Sequence, residues 1–174
     1  MSIEMVTFFS FLNKSMKRLL IFLPLFLGLL FNPITANALY PSDPSSVDVL
    51  KEDLHGKDLQ NTEYVKYDLS GQDLGESNLQ GAYMSVTTAK NASFKGANMK
   101  DLIAYATRFD NADLSDANLT NGELMKSVFD GANIDGADFT DANLDLSQRK
   151  ALCERASGTN PQTGVNTIDS LECT

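Results

Sequence analysis

Read at every fifth residue from Leu54, the chain gives Leu54, Leu59, Tyr64, Leu69, Leu74, Leu79, Met84, Ala89, Phe94 and Met99. It continues in the same phase through Ala104, Phe109, Leu114, Leu119, Leu124, Phe129, Ile134, Phe139 and Leu144, nineteen units in all. Two positions before the apolar residue a small one is usual: Ala82, Ala92, Ala97, Ala112, Ala117, Ala132, Ala137 and Ala142, with Ser77, Gly122, Ser127 and three threonines besides. A period of five fits neither the 3.6-residue repeat of a helix nor the two-residue alternation of a strand. A low-complexity disordered tract would not keep its apolar residues in phase over such a length.

Short extended segments joined by turns satisfy this pattern. Residues two apart in an extended segment point to one side, so the small and the large residue face inward together while the residue between them meets water. The intervening positions are polar, as in Asp58, Asp68, Asn78, Asn98, Asn118, Asn133 and Asp138. The fifth position must turn a corner, and Gly56, Asn61, Gly71, Gly81, Asn91, Gly96, Asn111, Asn121, Gly131 and Gly136 all tolerate positive φ there. Four corners close a square coil whose interior stacks like on like, with backbone pairing from coil to coil about 4.8 Å apart.

The units ADLSD (112–116), ANLTN (117–121), ANIDG (132–136), ADFTD (137–141) and ANLDL (142–146) resemble the pentapeptide-repeat family. The resemblance covers residues 52–146 and implies an all-β fold, a right-handed quadrilateral β-helix. At four units per coil, nineteen units make just under five coils and a rod about 24 Å long.

Both ends of the chain depart from the repeat. Lys17 and Arg18 precede an uncharged run from Leu19 to Phe31, and Ala36 and Ala38 follow as the small residues of a cleavage site. This order is that of a secretory signal peptide over 1–38, with Met16 as a second candidate start. The run is too short for a spanning helix, which needs about 17–25 residues, so a signal anchor is the weaker alternative. Residues 39–51 read as linker and N-terminal cap. After the last repeat, 147–174 reads as a C-terminal cap, with a short helix over 147–155, Ser147 as its N-cap, Ala151 and Leu152 against the last coil and Gly158 as its stop. This tail is similar to that of small pentapeptide proteins of cyanobacterial and plastid thylakoid lumens. The similarity implies a disulfide between Cys153 and Cys173, and export is consistent with one. A redox switch is the functional alternative for the pair.

Units twenty residues apart share a face. The face centred on Tyr64, Met84, Ala104, Leu124 and Leu144 carries Lys66, Val86, Ala106, Lys126 and Leu146 at its corners, where the other faces depart from Gly, Asn or Asp only at Glu76. Its outward positions include Val65, Tyr83, Ile103, Tyr105 and Met125. This predicts a different turn geometry and an exposed apolar patch, the usual mark of a partner surface. Three occupants stay open: the chain's own segment 39–49, a second copy in a homodimer seam, or another protein. A neighbouring face carries Glu52, Asp53, Asp73, Glu76, Asp113, Asp116 and Asp135 against Lys95 alone. Such a run either steers basic partners or is a solvated face.

Composition narrows the function. The formal charge is −9, and loss of residues 1–38 removes one acid and three bases, leaving −11. That excludes a basic nucleic-acid binder. One histidine, His55, and two cysteines leave metal clusters and histidine-based triads short of parts. His55 and Asp58 form a polar pair that reads as edge capping rather than general-base chemistry. The expectation is a non-enzymatic interaction or scaffold module without cofactor or metal, with a protein partner, no nucleic-acid ligand and no stable membrane insertion after cleavage. The place expected is an exported compartment, thylakoid lumen or periplasm, where the module would support photosynthetic complexes. The alternative is an acidic DNA mimic that binds topoisomerase, as some pentapeptide proteins do, and export argues against it.

Overall fold

The computed structural model describes residues 53–173; the signal segment, the linker and Glu52 lie outside them. The repeats pair in four parallel ladders, each rising by twenty residues. One runs Glu63↔Tyr83↔Ile103↔Glu123↔Asn143 and another Asp58↔Asn78↔Asn98↔Asn118↔Asp138. The other two run Asp68↔Thr88↔Arg108↔Val128 and Asp73↔Ser93↔Asp113↔Asn133. Four units thus make one coil of a four-faced β-helix. Within a ladder the centre N–H donates to the coil above and the outward residue's N–H to the coil below, as in Leu79 N–H to the Asn98 carbonyl (2.7 Å) and Asn98 N–H to the Ser77 carbonyl (2.9 Å).

At each corner the centre carbonyl accepts from the N–H three residues on, for example Leu79 from Ala82 (3.0 Å). The residue two past the centre has positive φ at every unit from Gly56 to Asp141. This is the pattern of a type II turn, which favours Gly or Asn at that position. The expected difference at the irregular face is corrected here: Lys66 (φ 65°), Val86 (60°), Ala106 (55°) and Lys126 (60°) turn as Gly71 (70°) and Asn91 (55°) do. Closure at twenty residues leaves one bend available, so these side chains are held in the left-handed region at a cost of about 1–2 kcal/mol each. Val86, β-branched, is the most unfavourable of them.

The interior is solid. Leu74, Phe94 and Leu114 stack on one wall and Leu79, Met99 and Leu119 on the next, all fully buried. Phe109 and Phe129 lie face to face at 5.3 Å, with Phe94 and Phe139 edge-on at 5.6 and 6.3 Å. Where the centre shrinks to Ala104, the preceding inward position grows to Leu102, and both are fully buried, so core volume is conserved.

The outward Asp and Asn have a structural task. Asp58, Asp68, Asp73, Asn78, Asn98, Asp113, Asn118, Asn133 and Asp138 each accept from the N–H two residues on, closing an Asx turn beside the corner. Asparagines also donate down the stack, as Asn98 Nδ2 does to Asn78 Oδ1 at 2.9 Å.

The last coil has no coil above it, and its polar groups are met one by one from the C-terminal segment. Lys126 N–H donates to Asp145 Oδ2 (2.8 Å), Gly136 N–H to the Ser157 carbonyl (2.8 Å) and Phe139 N–H to Ser170 Oγ (3.0 Å). Arg155 Nη2 donates to the Phe129 carbonyl (2.6 Å). Asn160 is fully buried, and its amide donates to the carbonyls of Asp116, Ala117 and Gly136. Its Oδ1 accepts from Gln162 and Thr163 N–H. The segment contains two helices, α1 (Leu146–Cys153), which Asp145 precedes, and α2 (Thr167–Ser170), which ends on Ser170; Arg155, Ser157 and Asn160 lie between them.

The sequence reading of this cap needs correcting. The N-cap of α1 is Asp145, whose N–H is held by Gln148 Oε1 (2.6 Å), not Ser147, because Asp145 is already fixed by Lys126 N–H. Helix α1 ends at Cys153, and α2 was not anticipated. Leu152 is buried, but Ala151 is exposed. Gly158 does not stop α1. It lies on the last coil, where a Cβ would come within 2.5 Å of Asp135 Oδ1 and 2.6 Å of Gly136 N. The disulfide joins Cys153 at the end of α1 to Cys173 past α2, with Cα atoms 5.6 Å apart. A loop of this size contributes about 3 kcal/mol by restricting the unfolded chain.

Two outcomes are expected in chemical unfolding. Val86→Gly should raise stability by about 1 kcal/mol, and Gly71→Val, where a Cβ would meet nothing within 4 Å, should lower it by a similar amount. Opposite signs would show that the corner is not strained. Asn160→Ala should cost about 1–3 kcal/mol, by removing the amide donor from the coil carbonyls of Asp116 and Gly136.

Candidate partner-binding face

The irregular face is built from three columns. Outward from the face centre stand Glu63, Tyr83, Ile103, Glu123 and Asn143. Next come Val65, Ser85, Tyr105, Met125 and Asp145, and at the corner Lys66, Val86, Ala106, Lys126 and Leu146. Val86 is 53% exposed, Tyr83 47% and Tyr105 40%, and Leu146, which opens α1, carries the apolar column onto the cap. Val65 and Ile103 are half-buried and fill the surface between the larger side chains. Lys126 Nζ lies 5.0 Å from the centre of the Tyr105 ring. Hydrogen bonding to the Tyr105 side chain raises the Lys126 pKa above its ordinary value.

Behind this face runs a second irregularity, which the sequence reading took only as small residues. Thr87, Thr107 and Ser127 are buried, and their hydroxyls donate to the carbonyls of Tyr64, Met84 and Ala104, twenty-three residues earlier. Gln148 continues the series from the cap by donating to the Leu124 carbonyl (3.1 Å). The other inward columns are mostly alanine. The signal was therefore present in the sequence, as hydroxyl residues at 87, 107 and 127.

The acidic face is largely occupied by the fold's own bonding. Asp53, Asp73 and Asp113 accept from backbone N–H groups, and Asp135 accepts from Ser157 Oγ (2.8 Å). Asp116 and Glu76 sit at positive-φ corners. His55 does not pair with Asp58, which is taken by Gln60 and Asn78. It meets the coil above instead, Asp73 at 3.3 Å and Glu76 at 3.9 Å, because stacking brings residues about twenty apart together. Among the described residues no group of three or more His, Cys, Asp or Glu is placed to hold a metal ion. No helix there is long and apolar enough to cross a membrane.

Shallow depressions follow the seam between cap and last coil. Their arginines are engaged, Arg149 with Glu172 at 2.9 Å and Arg155 with the Phe129 carbonyl. No nucleophile, base and orienter converge in either depression.

A solid four-faced coil with one irregular apolar face defines a repeat scaffold. Its repeats match the model for pentapeptide repeats in eight copies, over residues 68–101 and 107–145. The chain is 32% identical to a pentapeptide repeat protein of the Arabidopsis thaliana thylakoid lumen, a solved structure, over 78% of this chain and 96% of that one, with a TM-score of 0.30. It belongs to the pentapeptide-repeat family, on the repeat match and the sequence identity and not on the superposition, and the fold class is accordingly the right-handed β-helix. It is also similar to two Arabidopsis thaliana chloroplast proteins. It is 63% identical over 43 residues to thylakoid lumenal protein TL20.3, covering 25% of this chain and 15% of the relative. It is 53% identical over 45 residues to thylakoid lumenal 15 kDa protein 1, covering 26% and 20%. The matched stretches are thus a minor part of those two relatives.

Carboxylates within the turns tie part of the fold's stability to pH. The Gly75 N–H, and less strongly His55, hold Asp73 below its ordinary pKa. The Ser70 hydroxyl and N–H do the same for Asp68, and Arg108 does so for Asp110. A depressed carboxylate stabilises the folded state above its unfolded pKa, near 3.9, and that contribution is lost as pH falls through the folded value. Thermal midpoints should therefore hold from neutrality to about pH 5 and fall below about pH 4. Asp73→Asn, whose amide oxygen still accepts from Gly75, should shallow that fall, and an unchanged acid slope would remove Asp73 from the account.

Proposed function

We propose that this protein is a non-enzymatic interaction module of an exported compartment, the thylakoid lumen, and that its contact surface is the face of Tyr83, Ile103 and Tyr105. The observation that carries the reading is the cost of that face. Lys66, Val86, Ala106 and Lys126 stand in a backbone conformation that glycine or asparagine occupies at most other corners. Strain retained together with exposed aromatic side chains marks a surface kept for contact rather than for stability. Aromatic residues are also the groups that most often anchor protein interfaces.

Support for the compartment comes from the lumenal relatives, from the signal-like order of residues 1–38 and from the cystine in the cap. The finer expectation is that the module supports photosynthetic complexes from the lumenal side. The reading as a non-enzymatic module is supported by the family's general use as structural and interaction modules. DNA mimicry is the weaker reading, since the signal-like order of residues 1–38 argues for export away from DNA.

A crosslinked pull-down from lumenal extract tests the face, comparing wild type with Tyr83→Asp/Ile103→Asp/Tyr105→Asp. Capture is expected to fall at least about tenfold, the equivalent of losing a single interface anchor. Equal capture by both proteins would sink the reading.

A further inference from the structure

The face described above carries its own complement, and we infer that it takes a second copy of the same chain in a parallel two-fold pairing; the inference rests on the reading of that face as a contact surface. Residues of one coil stand at one height, because the ladder Glu63↔Tyr83↔Ile103↔Glu123↔Asn143 rises by one coil per step. On the first and fourth coils the outward column holds a carboxylate and the corner an ammonium: Glu63 with Lys66, and Glu123 with Lys126. Between them the second and third coils are apolar in the same columns, with Tyr83 and Val86, then Ile103 and Ala106.

A two-fold axis running along the rod keeps height and exchanges left for right. It sets Glu63 against Lys66 of the second copy and Glu123 against its Lys126, and each pairing occurs twice. Tyr83 then meets Val86, Ile103 meets Ala106, and the middle column of Val65, Ser85, Tyr105, Met125 and Asp145 lies beside the axis, each against itself, so that a single like-charge contact at Asp145, whose carboxylate is held by the Lys126 N–H of its own chain, stands against four ion pairs. The other way to bring the faces together, an axis across the rod at the level of Ile103, opposes Glu63 to Asn143, Lys66 to Leu146, Tyr83 to Glu123 and Val86 to Lys126, so no carboxylate meets an ammonium. Only the parallel form makes the ion pairs, and the charge pattern favours it for that reason.

Net charge points to the same occupant. Glu63, Glu123 and Asp145 against Lys66 and Lys126 leave this face near neutral, in a chain of formal charge −9 whose neighbouring face is strongly acidic. Two copies of an acidic protein repel least through this near-neutral face. The face is about five strand spacings tall, near 24 Å, and one face wide, which is less than the roughly 800 Å² per partner of a standard interface. Association is accordingly weak and concentration-dependent, with a Kd in roughly the micromolar to sub-millimolar range.

The test is sedimentation of the whole chain, expressed with its own N-terminal segment and purified as the species the host accumulates, over a concentration series. Wild type should pass from monomer to dimer. Lys126→Glu, at a corner whose φ Glu76 also adopts, should weaken the dimer at least about tenfold, and Glu123→Lys/Lys126→Glu should restore most of the loss. Unfolding curves on each variant separate lost pairing from lost fold. Ser85→Cys should form a disulfide with its own copy under mild oxidation, as the parallel axis requires. A wild type that stays monomeric to millimolar concentration overturns the proposal, as does a dimer indifferent to Lys126→Glu, or one in which Ser85→Cys does not link. If the chain is monomeric yet still captures another protein through Tyr83, Ile103 and Tyr105, this inference fails while the interaction reading stands. If neither dimer nor capture depends on those residues, both fail.

Discussion

Every other feature of this molecule depends on a left-handed bend at one residue in five. That bend sends the chain onto the next face, and four of them return it above its starting point, so residue i pairs with residue i+20. Once the return distance is set, the small and large inward positions, the Asx turns and the aromatic stack follow, because each coil repeats the environment of the one beneath. A different bend at one corner would shift every later pairing. This is why Val86 and Lys66 adopt φ values of 60° and 65° that they would not choose alone: the sum of the pairings above and below outweighs about 1–2 kcal/mol of local strain.

A coil that repeats without limit would also associate without limit, since its last turn presents unpaired N–H and C=O groups. The C-terminal segment resolves this with side chains as much as with backbone. Asp145, Gln148, Arg155, Asn160 and Ser170 each supply what the next coil would have supplied, to a named group of the last coil. Such a cap has little regular structure of its own, two short helices and a cystine, and it holds its shape because its polar atoms are already committed to the coil. Departures from the repeat thus fall into two groups. Those at the end of the rod complete hydrogen bonds. Those along the Tyr83–Tyr105 face leave Tyr83, Val86 and Tyr105 exposed, which is why contact with another surface is the use proposed for them.

The repeat was fully legible in the residues: its period, its inward and outward positions, and the corners at Gly71, Asn91 and Gly131. So were the face with Tyr83, Val86 and Tyr105, because a helical stack turns a twenty-residue spacing directly into proximity. The cap was only partly legible. Ser147 had the composition of an N-cap, but Asp145 takes the role because the bond that fixes it comes from Lys126 on the coil below. Asn160, the most heavily bonded side chain of the cap, carries no local signal of that role, because the carbonyls that its amide binds lie 24 to 44 residues away.

What the sequence determined by itself is everything governed by local periodicity: the coil, its core and the order of its faces, since each depends on residue type at a fixed spacing. Only the tertiary structure decided that the irregular corners bend like the others, that His55 meets Asp73 rather than Asp58, and that Thr87, Thr107 and Ser127 bind carbonyls of the preceding coil. Each of these is a contest between a residue's own preference and the contacts of a neighbouring coil. The neighbouring coil wins because its hydrogen bonds and buried side chains outnumber any single local preference.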